Sequence, residues 1–394
     1  MMKRFNRVAI LLCVVTVLLG VLSLKTVGAK ATTSSRQTSQ NSSCKWSVVP
    51  SPNGTSNSFL GSVATVSTSD VWAVGSSGSQ LGNGQTLIEH WNGTRWSVVT
   101  SPSPGSMYNT LNGVTAVSAS DVWAVGYDAN TTGPTQTLIE HWNGSSWSVV
   151  SSPNPASLNN ELFSVTAVST SDVWAVGFIS DTTASGPVDQ ALIEHWNGTR
   201  WSVVTSSGPG SSSSHLSSVA AVSSNNVWAV GDYMNSDGSS GTLIEHWNGT
   251  SWLVVTSPNP GSGSALTGVA AVSATDVWAV GYTNKSSTLQ TLVEHWNGTS
   301  WQVVKSANVG KHPAFWGITT VSATDVWAVG SDGTNTKFNQ TLTEQWNGTQ
   351  WSVVASPSPG SVNTQLVAVA AVSASNVWAV GVADGNTLIE HYHC

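Results

Sequence analysis

Seven tryptophans, Trp72, Trp123, Trp174, Trp228, Trp278, Trp327 and Trp378, each stand third in a version of one hexapeptide, of which Asp121-Val122-Trp123-Ala124-Val125-Gly126 is the type. The intervals between them are 51, 51, 54, 50, 49 and 51 residues. A near-constant period in this range marks one supersecondary unit copied along the chain, since a unit of that size cannot bury its apolar face alone and must lean on its neighbours. What such a chain can fold into depends on what one unit is and on how the array ends.

In the second copy, residues 111–118 mix valine with small residues and read as a strand passing close to its neighbours, as at the crowded axis of a ring. Residues 122–125, 137–142 and 147–150 read as three more strands. Asn143-Gly144 between the last two predicts a tight type I′ hairpin, in which both central residues take positive φ. Pro153 and Pro155 end the fourth strand, because proline cannot donate to a ladder. Four antiparallel strands per copy, with no helical periodicity beyond the N-terminal segment, predict an all-β fold, a seven-bladed β-propeller.

The ends of the array favour a closed ring. A solenoid would carry polar capping repeats, whereas here the two ends are complementary fragments. The last copy stops after its third strand, Thr387-Leu388-Ile389-Glu390-His391-Tyr392-His393-Cys394, and Cys44-Lys45-Trp46-Ser47-Val48-Val49 is a fourth strand with no predecessor. The N-terminal strand is expected to complete the last blade. Where an Asn-Gly turn joins these strands in the other copies stand Cys44 and Cys394, expected to pair as a disulfide, with two free thiols as the alternative. Bridging so long a loop contributes roughly 5 kcal/mol in the chain-entropy account.

Ahead of the propeller, residues 1–31 have secretory-signal grammar: Lys3, Arg4 and Arg7, an apolar run over 8–24, and a small-residue Ala29-Lys30-Ala31 site. The run holds 17 residues, the short edge of what spans a bilayer, so an uncleaved N-terminal membrane anchor is the alternative to a cleaved signal. Either way the remainder is expected outside the cytoplasm, where cysteines pair. Cys13 reads as a core residue of that run. Residues 32–43, rich in Ser and Thr and without an apolar side chain, read as a flexible tether to the domain at 44–394. Past residue 31 the chain keeps 8 basic against 20 acidic residues, a formal charge of −12, which argues against nucleic acid as a partner.

The third strand carries Glu-His-Trp from Glu89, Glu140, Glu194, Glu245 and Glu294, with Glu344-Gln345-Trp346 and Glu390-His391-Tyr392 as variants. A carboxylate beside an imidazole looks catalytic, but a catalytic site is one place on a ring, whereas this pair recurs in six of the seven blades. A structural role is expected, a buried hydrogen-bond network linking each His to the Ser or Asp of the preceding turn, such as Ser67 and Asp70. Twenty of the 21 tryptophans fall in three slots per blade, where flat rings can fill the gap between sheets. The turns at Asn92, Asn143, Asn197, Asn248, Asn297 and Asn347 match the N-glycosylation sequon, although turn formation alone accounts for them.

These repeats, Ser-Ala-Ser-Asp-Val-Trp-Ala-Val-Gly followed by His-Trp-Asn-Gly-x-x-Trp, resemble a class of secreted bacterial propeller repeats and, more loosely, kelch and Asp-box propellers. Their Asp, His, Ser and Trp pattern is similar to that of WD-repeat propellers. The resemblance spans residues 44–394, implies the propeller fold and carries over no site residues.

Function must be sought where the copies differ. Connections between second and third strands share one face of a propeller with those between blades, and here they run from five residues, 382–386, to 13, 178–190. Variable loops on a rigid ring are where binding usually resides, with sequence drift as the alternative. The position after the leucine (Phe315 in the sixth copy) that opens the first strand holds Gly61, Asn112, Phe163, Ser217, Thr267, Trp316 and Val367. Phe163 and Trp316 lie three blades apart, and Trp316 is the one tryptophan outside the repeat slots. Both are expected at the mouth of the central channel, stacking on a ligand or, alternatively, plugging the channel. Glu161, the one glutamate outside the third-strand motif, is expected nearby with Tyr108, His215, Lys311 and His312. The candidate ligand site is therefore Trp316, Phe163, Glu161, Tyr108 and His312. Loop aspartates such as Asp181 and Asp384 form no spaced calcium loop and no Cys/His cluster suits zinc, so neither a metal nor another cofactor is expected.

The chain thus reads as a secreted or surface-tethered, monomeric binding propeller recognising a glycan or an extracellular protein. A glycoside hydrolase is the alternative from another class. Sialidase chemistry is disfavoured, because Arg95 and Arg200, the two arginines past the tether, sit in third-to-fourth-strand turns on the opposite face. A two-carboxylate glycosidase would pair Glu161 with a loop acid such as Asp181. A purely structural or assembly role is the third reading.

Overall fold

A computed structural model of the chain describes residues 44–53, 57–79, 82–183, 186–209, 213–261, 263–285, 288–307, 309–333 and 340–394. The expected signal or anchor and the tether, residues 1–43, lie outside these. Seven four-stranded antiparallel sheets follow one another around a ring. In blade 2, Tyr108–Ser118, Asp121–Ala129, Gln136–Trp142 and Trp147–Val149 pair in chain order. The first strand of each blade packs on that of the next, and Thr364–Ser373 of blade 7 packs on Phe59–Ser67 of blade 1, so the ring is closed. Blade 7 is completed by Lys45–Val48, which pairs with Asn386–His393 from Lys45↔His393 to Val48↔Glu390. A disulfide joins Cys44 to Cys394 across that joint, over a sequence separation of 350. The protein is a seven-bladed β-propeller, as the period and the split last copy predict.

The sheets stack face to face, and the core is divided into seven layers between blades. Between blades 1 and 2, Trp72, Val74 and Ile88 pack on Leu111, Val122, Leu138 and Trp147. Trp72 meets Trp142 and Trp147 of the next blade at 5.1 and 5.4 Å, the second edge to face, and stacks on His90 of its own blade at 4.1 Å. The contact recurs around the ring, with Tyr392 taking the third-strand slot beside Trp327 in the last blade. Wide rings fill the wedge between sheets that splay away from the axis, which is why each blade carries three of them.

The glycine that ends the hexapeptide has a geometric cause. Every first strand is bulged one residue past its opening leucine, at the position occupied by Gly61, Asn112, Phe163, Ser217, Thr267, Trp316 and Val367. The backbone before the bulge is pressed onto the second strand. A Cβ on Gly126 would collide with the carbonyl oxygen of Thr110, and the six equivalent glycines face the equivalent atom.

Two local expectations are corrected. Asn143-Gly144 does not form a type I′ turn, since Gly144 has φ 92° but Asn143 does not take a positive φ. The Asn143 carboxamide oxygen accepts the N–H groups of Ser145 and Ser146 at 3.0 and 3.1 Å and stabilises a wider turn in the manner of an Asx motif. In blade 3, the stretch 178–190 expected as a loop is mostly sheet. Asp172–Thr183 and Gly186–Trp196 stay paired out to Thr183↔Gly186, anchored at the base by the buried Phe178 and the partly buried Ile179.

Candidate functional site

The repeated Glu-His pair is divided by strand alternation, which sends the two side chains to opposite faces of the sheet. His141 Nε2 lies 2.9 Å from Asp121 Oδ1, and the ring packs on Trp123 at 4.2 Å. Pairs of His with the Asp that opens the second strand recur at His90–Asp70, His195–Asp172 and His295–Asp276. The expected link to Asp is therefore present, but two details differ. The His141 side chain is 26% exposed rather than buried, and Ser67 accepts the Ser69 N–H at 3.2 Å instead of reaching the imidazole.

The buried member of the motif is the glutamate, and all seven are 0% exposed. Burial pushes the carboxyls of Glu140, Glu194 and Glu390 up to about 8. None of these three has a hydrogen-bond partner among the described residues. Burial also raises Glu89 and Glu344, but only to about 7, because the segment leaving the preceding blade supplies a donor. The Ser51 hydroxyl donates to Glu89 at 2.9 Å and the Ala307 N–H to Glu344 at 3.0 Å. Repetition around the ring makes these groups scaffold.

One sector departs from the repeat. The residue before the opening leucine (Phe315 in blade 6) is Phe59, Thr110, Glu161, His215, Ala265, Ala314 or Gln365 in blades 1 to 7. Its cross-strand partner is Ser76, Tyr127, Phe178, Asp232, Tyr282, Ser331 or Val382. Charged side chains thus enter this layer at blades 3 and 4. Phe178, opposite Glu161, meets His215 of the next blade edge-on at 5.0 Å, and Phe163 packs on Phe178 at 5.5 Å. His215 Nε2 lies 3.2 Å from Asp189 Oδ2, and Nδ1 lies 3.8 Å from Asp232 Oδ1. Asp189 stands on the blade 3 ribbon opposite Ser180, which hydrogen-bonds its carboxylate. On the blade 2 side, Tyr108 meets the buried Tyr127 edge to face at 5.7 Å.

Glu161 lies between these groups and is 4% exposed. The Thr135 hydroxyl donates to its Oε1 at 3.4 Å, while Oε2 has no partner among the described residues. Burial is the main cause that pushes its carboxyl up to about 7. Burial alone would lower the His215 imidazole, but the hydrogen bonds and charges of Asp189 and Asp232 outweigh it and lift it to about 9, a cation at neutral pH. Asp189 is raised by burial but more strongly lowered by His215 and Ser180, so it stays ionised. Burial, then the carboxylate of Glu161, raises both Tyr108 and Tyr127.

The five predicted site residues divide into two groups. Glu161, Phe163 and Tyr108 belong to the sector just described. Trp316 and His312 stand with blade 6, where the partly buried Trp316 donates its Nε1–H to Ser331 Oγ at 3.0 Å and packs on Tyr282 of blade 5 at 5.8 Å. Phe315, the residue before Trp316, is fully buried against Trp351, because the bulge at Trp316 leaves Phe315 as the core residue. His312 is exposed, its backbone N–H directed at Asp332. Phe178, Asp189 and Asp232 are members that the sequence reading misses. The signal for Phe178 and Asp232 is their departure from the other blades at one repeat position, readable only once that position is known to face a neighbouring blade.

Asp181, the acid expected to partner Glu161, is a partly exposed cap that accepts the Ser157 N–H and hydroxyl at 2.7 and 2.8 Å. Asp189 takes its place near Glu161. Asp384 similarly accepts the N–H groups of Val362 and Asn363, both at 2.9 Å. Asp181 and Asp384 therefore brace the segment entering their own blade. Among the described residues, no group of three or more His, Cys, Asp or Glu side chains is placed to hold a metal ion.

No protein-family model and no curated protein matches the chain. Solved structures match at the level of fold. A structure of YCF48 bound to D1 peptide is 14% identical, covers 89% of this chain and 97% of that one, and has a TM-score of 0.56. The WD40 β-propeller domain of Doa1 is also 14% identical, with 88% and 96% covered and a TM-score of 0.54. YjhT, 12% identical, covers 77% of this chain and 99% of its own, with a TM-score of 0.51. Identities this low show the fold alone.

Proposed function

We propose that the protein is an extracellular propeller binding module that takes a segment of a partner protein at the sector of blades 2 to 4. One observation carries this reading: the ionisable residues Glu161, His215, Asp189 and Asp232 that break the sevenfold pattern are gathered there beside Tyr108, Phe163 and Phe178, although the other blades fold without such a cluster. Natural sequences break their own structural rules chiefly at functional sites. The likeness to a propeller-shaped protein holding a peptide, YCF48 with D1 peptide, supports a protein occupant. The Cys44–Cys394 disulfide supports an oxidising compartment, and among the described residues no helix is long and apolar enough to cross a membrane. On this reading the chain acts as a monomer, tethered or released by residues 1–43, and belongs with the secreted bacterial propeller repeats it resembles. Trp316, with Tyr282, extends the binding face on the blade 5 and 6 side.

The test is selection from a random peptide display library on the full chain, with Phe163→Ala and Tyr108→Ala in parallel. Selected peptides should bind wild type and lose at least about tenfold in affinity on Phe163→Ala, which is about 1.4 kcal/mol. Peptides indifferent to both substitutions, or selection of none, would overturn the reading.

A second reading is favoured by one feature. Glu161 is held near neutrality while Asp189 is held ionised, the divergence expected of an acid and a base in glycoside hydrolysis. Release of nitrophenol from chromogenic glycosides, abolished by Glu161→Gln, is the outcome that would establish it over the binding module. A glycan array gives the corresponding test for a sugar ligand without hydrolysis.

A further inference from the structure

We infer that the occupant of this sector is anchored by a positively charged side chain, a lysine ammonium or an arginine guanidinium, received by the carboxylates gathered around His215. The inference rests on the binding-module reading and names the chemistry of its ligand. The charge balance of the sector favours a cation. Glu161, Asp189 and Asp232 stand in blades 3 and 4 around one basic residue, His215, and Asp128 lies beside Tyr108 in blade 2. Arg95 and Arg200 lie in the turns after third strands, at the opposite end of the blades, while Lys285 and Lys311 belong to blades 5 and 6. Among the described residues no lysine or arginine forms an ion pair with any of these four acids. Carboxylates brought together out of water without matching cations cost stability.

The repeat serves as an internal control. Where blades 3 and 4 carry Glu161 and His215, blades 5 and 6 carry Ala265 and Ala314. Where blade 4 carries Asp232, blades 6 and 7 carry Ser331 and Val382. The fold does not require charge at these positions, so the cost is retained for another reason.

Glu161 is 4% exposed, and its buried Oε2 accepts no hydrogen bond among the described residues. The buried third-strand glutamates Glu140, Glu194 and Glu390 are also without donors, but they repeat around the ring, whereas Glu161 occurs once, and an N–H donor entering from outside the chain would satisfy its Oε2. Phe163 and Tyr108, both partly buried, add ring faces of the kind on which ammonium and guanidinium groups settle. An anionic ligand would meet only His215 among several carboxylates.

The experiment measures binding of four labelled hexapeptides to the full chain, Gly-Ser-X-X-Ser-Gly with X as lysine, arginine, acetyl-lysine or glutamate. Acetylation keeps the length of the side chain and removes its charge. The lysine and arginine peptides should bind at least about tenfold more tightly than the other two, with affinity falling as salt rises from about 50 to about 500 mM. Asp232→Asn and Glu161→Gln should each weaken the lysine peptide by about fivefold or more. Asp232 is partly exposed, so its variant tests the inference even if Glu161→Gln folds poorly. Equal binding of the acetylated peptide, or lysine binding unchanged in Asp232→Asn, would overturn the cationic anchor. If display-selected peptides are lost on Phe163→Ala but carry no basic residues, the anchor falls and the module stands. If no peptide of either kind binds, both fall.

Discussion

Replacing Glu140 by glutamine should change how stability depends on pH. Glu140 is fully buried between blades, neither carboxyl oxygen has a hydrogen-bond partner among the described residues, and burial lifts its pKa from 4.5 to about 8. The folded state therefore favours the protonated acid, while the unfolded chain releases the proton near 4.5. The stability carried by a raised carboxyl is complete below the unfolded value and is lost as pH rises through the folded one. Wild type should thus weaken from about pH 5 to pH 8, with Glu194 and Glu390 acting in the same direction. At about 1.4 kcal/mol per pKa unit, Glu140 alone accounts for a loss of about 3 kcal/mol over that range. Glutamine cannot ionise, so its variant escapes this loss. Its unpartnered amide adds a cost of about 1 to 3 kcal/mol that does not vary with pH. The diagnostic is therefore the difference between variant and wild type, which should move by about 3 kcal/mol in favour of Glu140→Gln between pH 5 and pH 8. Denaturant unfolding of both proteins at several pH values measures it. Parallel curves, or a wild type more stable at pH 8 than at pH 5, would refute the reasoning.

Three further outcomes follow from the architecture. Cys44→Ser with Cys394→Ser should keep the propeller but lose roughly 5 kcal/mol, since the bridge closes a loop of sequence separation 350; both cysteines found free in non-reduced mass spectrometry would sink the idea. Gly126→Ala should destabilise by about 1 to 3 kcal/mol as its Cβ meets the Thr110 carbonyl, and an unchanged melting temperature would show that the bulge does not dictate this glycine. Trp316→Ala should weaken binding of display-selected peptides by about 1 to 3 kcal/mol with little change in melting; a lower melting temperature at constant affinity would make Trp316, bonded to Ser331 and packed on Tyr282, a structural plug.

The ring, its seven blades and its closure by a borrowed strand were legible in the sequence because they are properties of repetition. The period of the tryptophans counts the blades, and the last copy without a fourth strand matches the fourth strand without a predecessor at Lys45–Val48. The repeated His was legible as scaffold for the same reason. Tertiary structure alone decided which side of each strand is packed. Glu140 and His141 are neighbours, and alternation separates them, but only stacked blades show that the glutamate is the buried one. Phe315 and Trp316 are also neighbours, and the bulge determines which enters the core. The acidic sector was legible only in part. Asp181 and Asp189 lie on one ribbon, yet the register Ser180↔Asp189 brings Asp189 towards His215, 26 residues away on the next blade, and leaves Asp181 capping Ser157. A repeat period determines how units follow one another, whereas the facing of one side chain depends on register, bulges and the neighbour it meets across the gap.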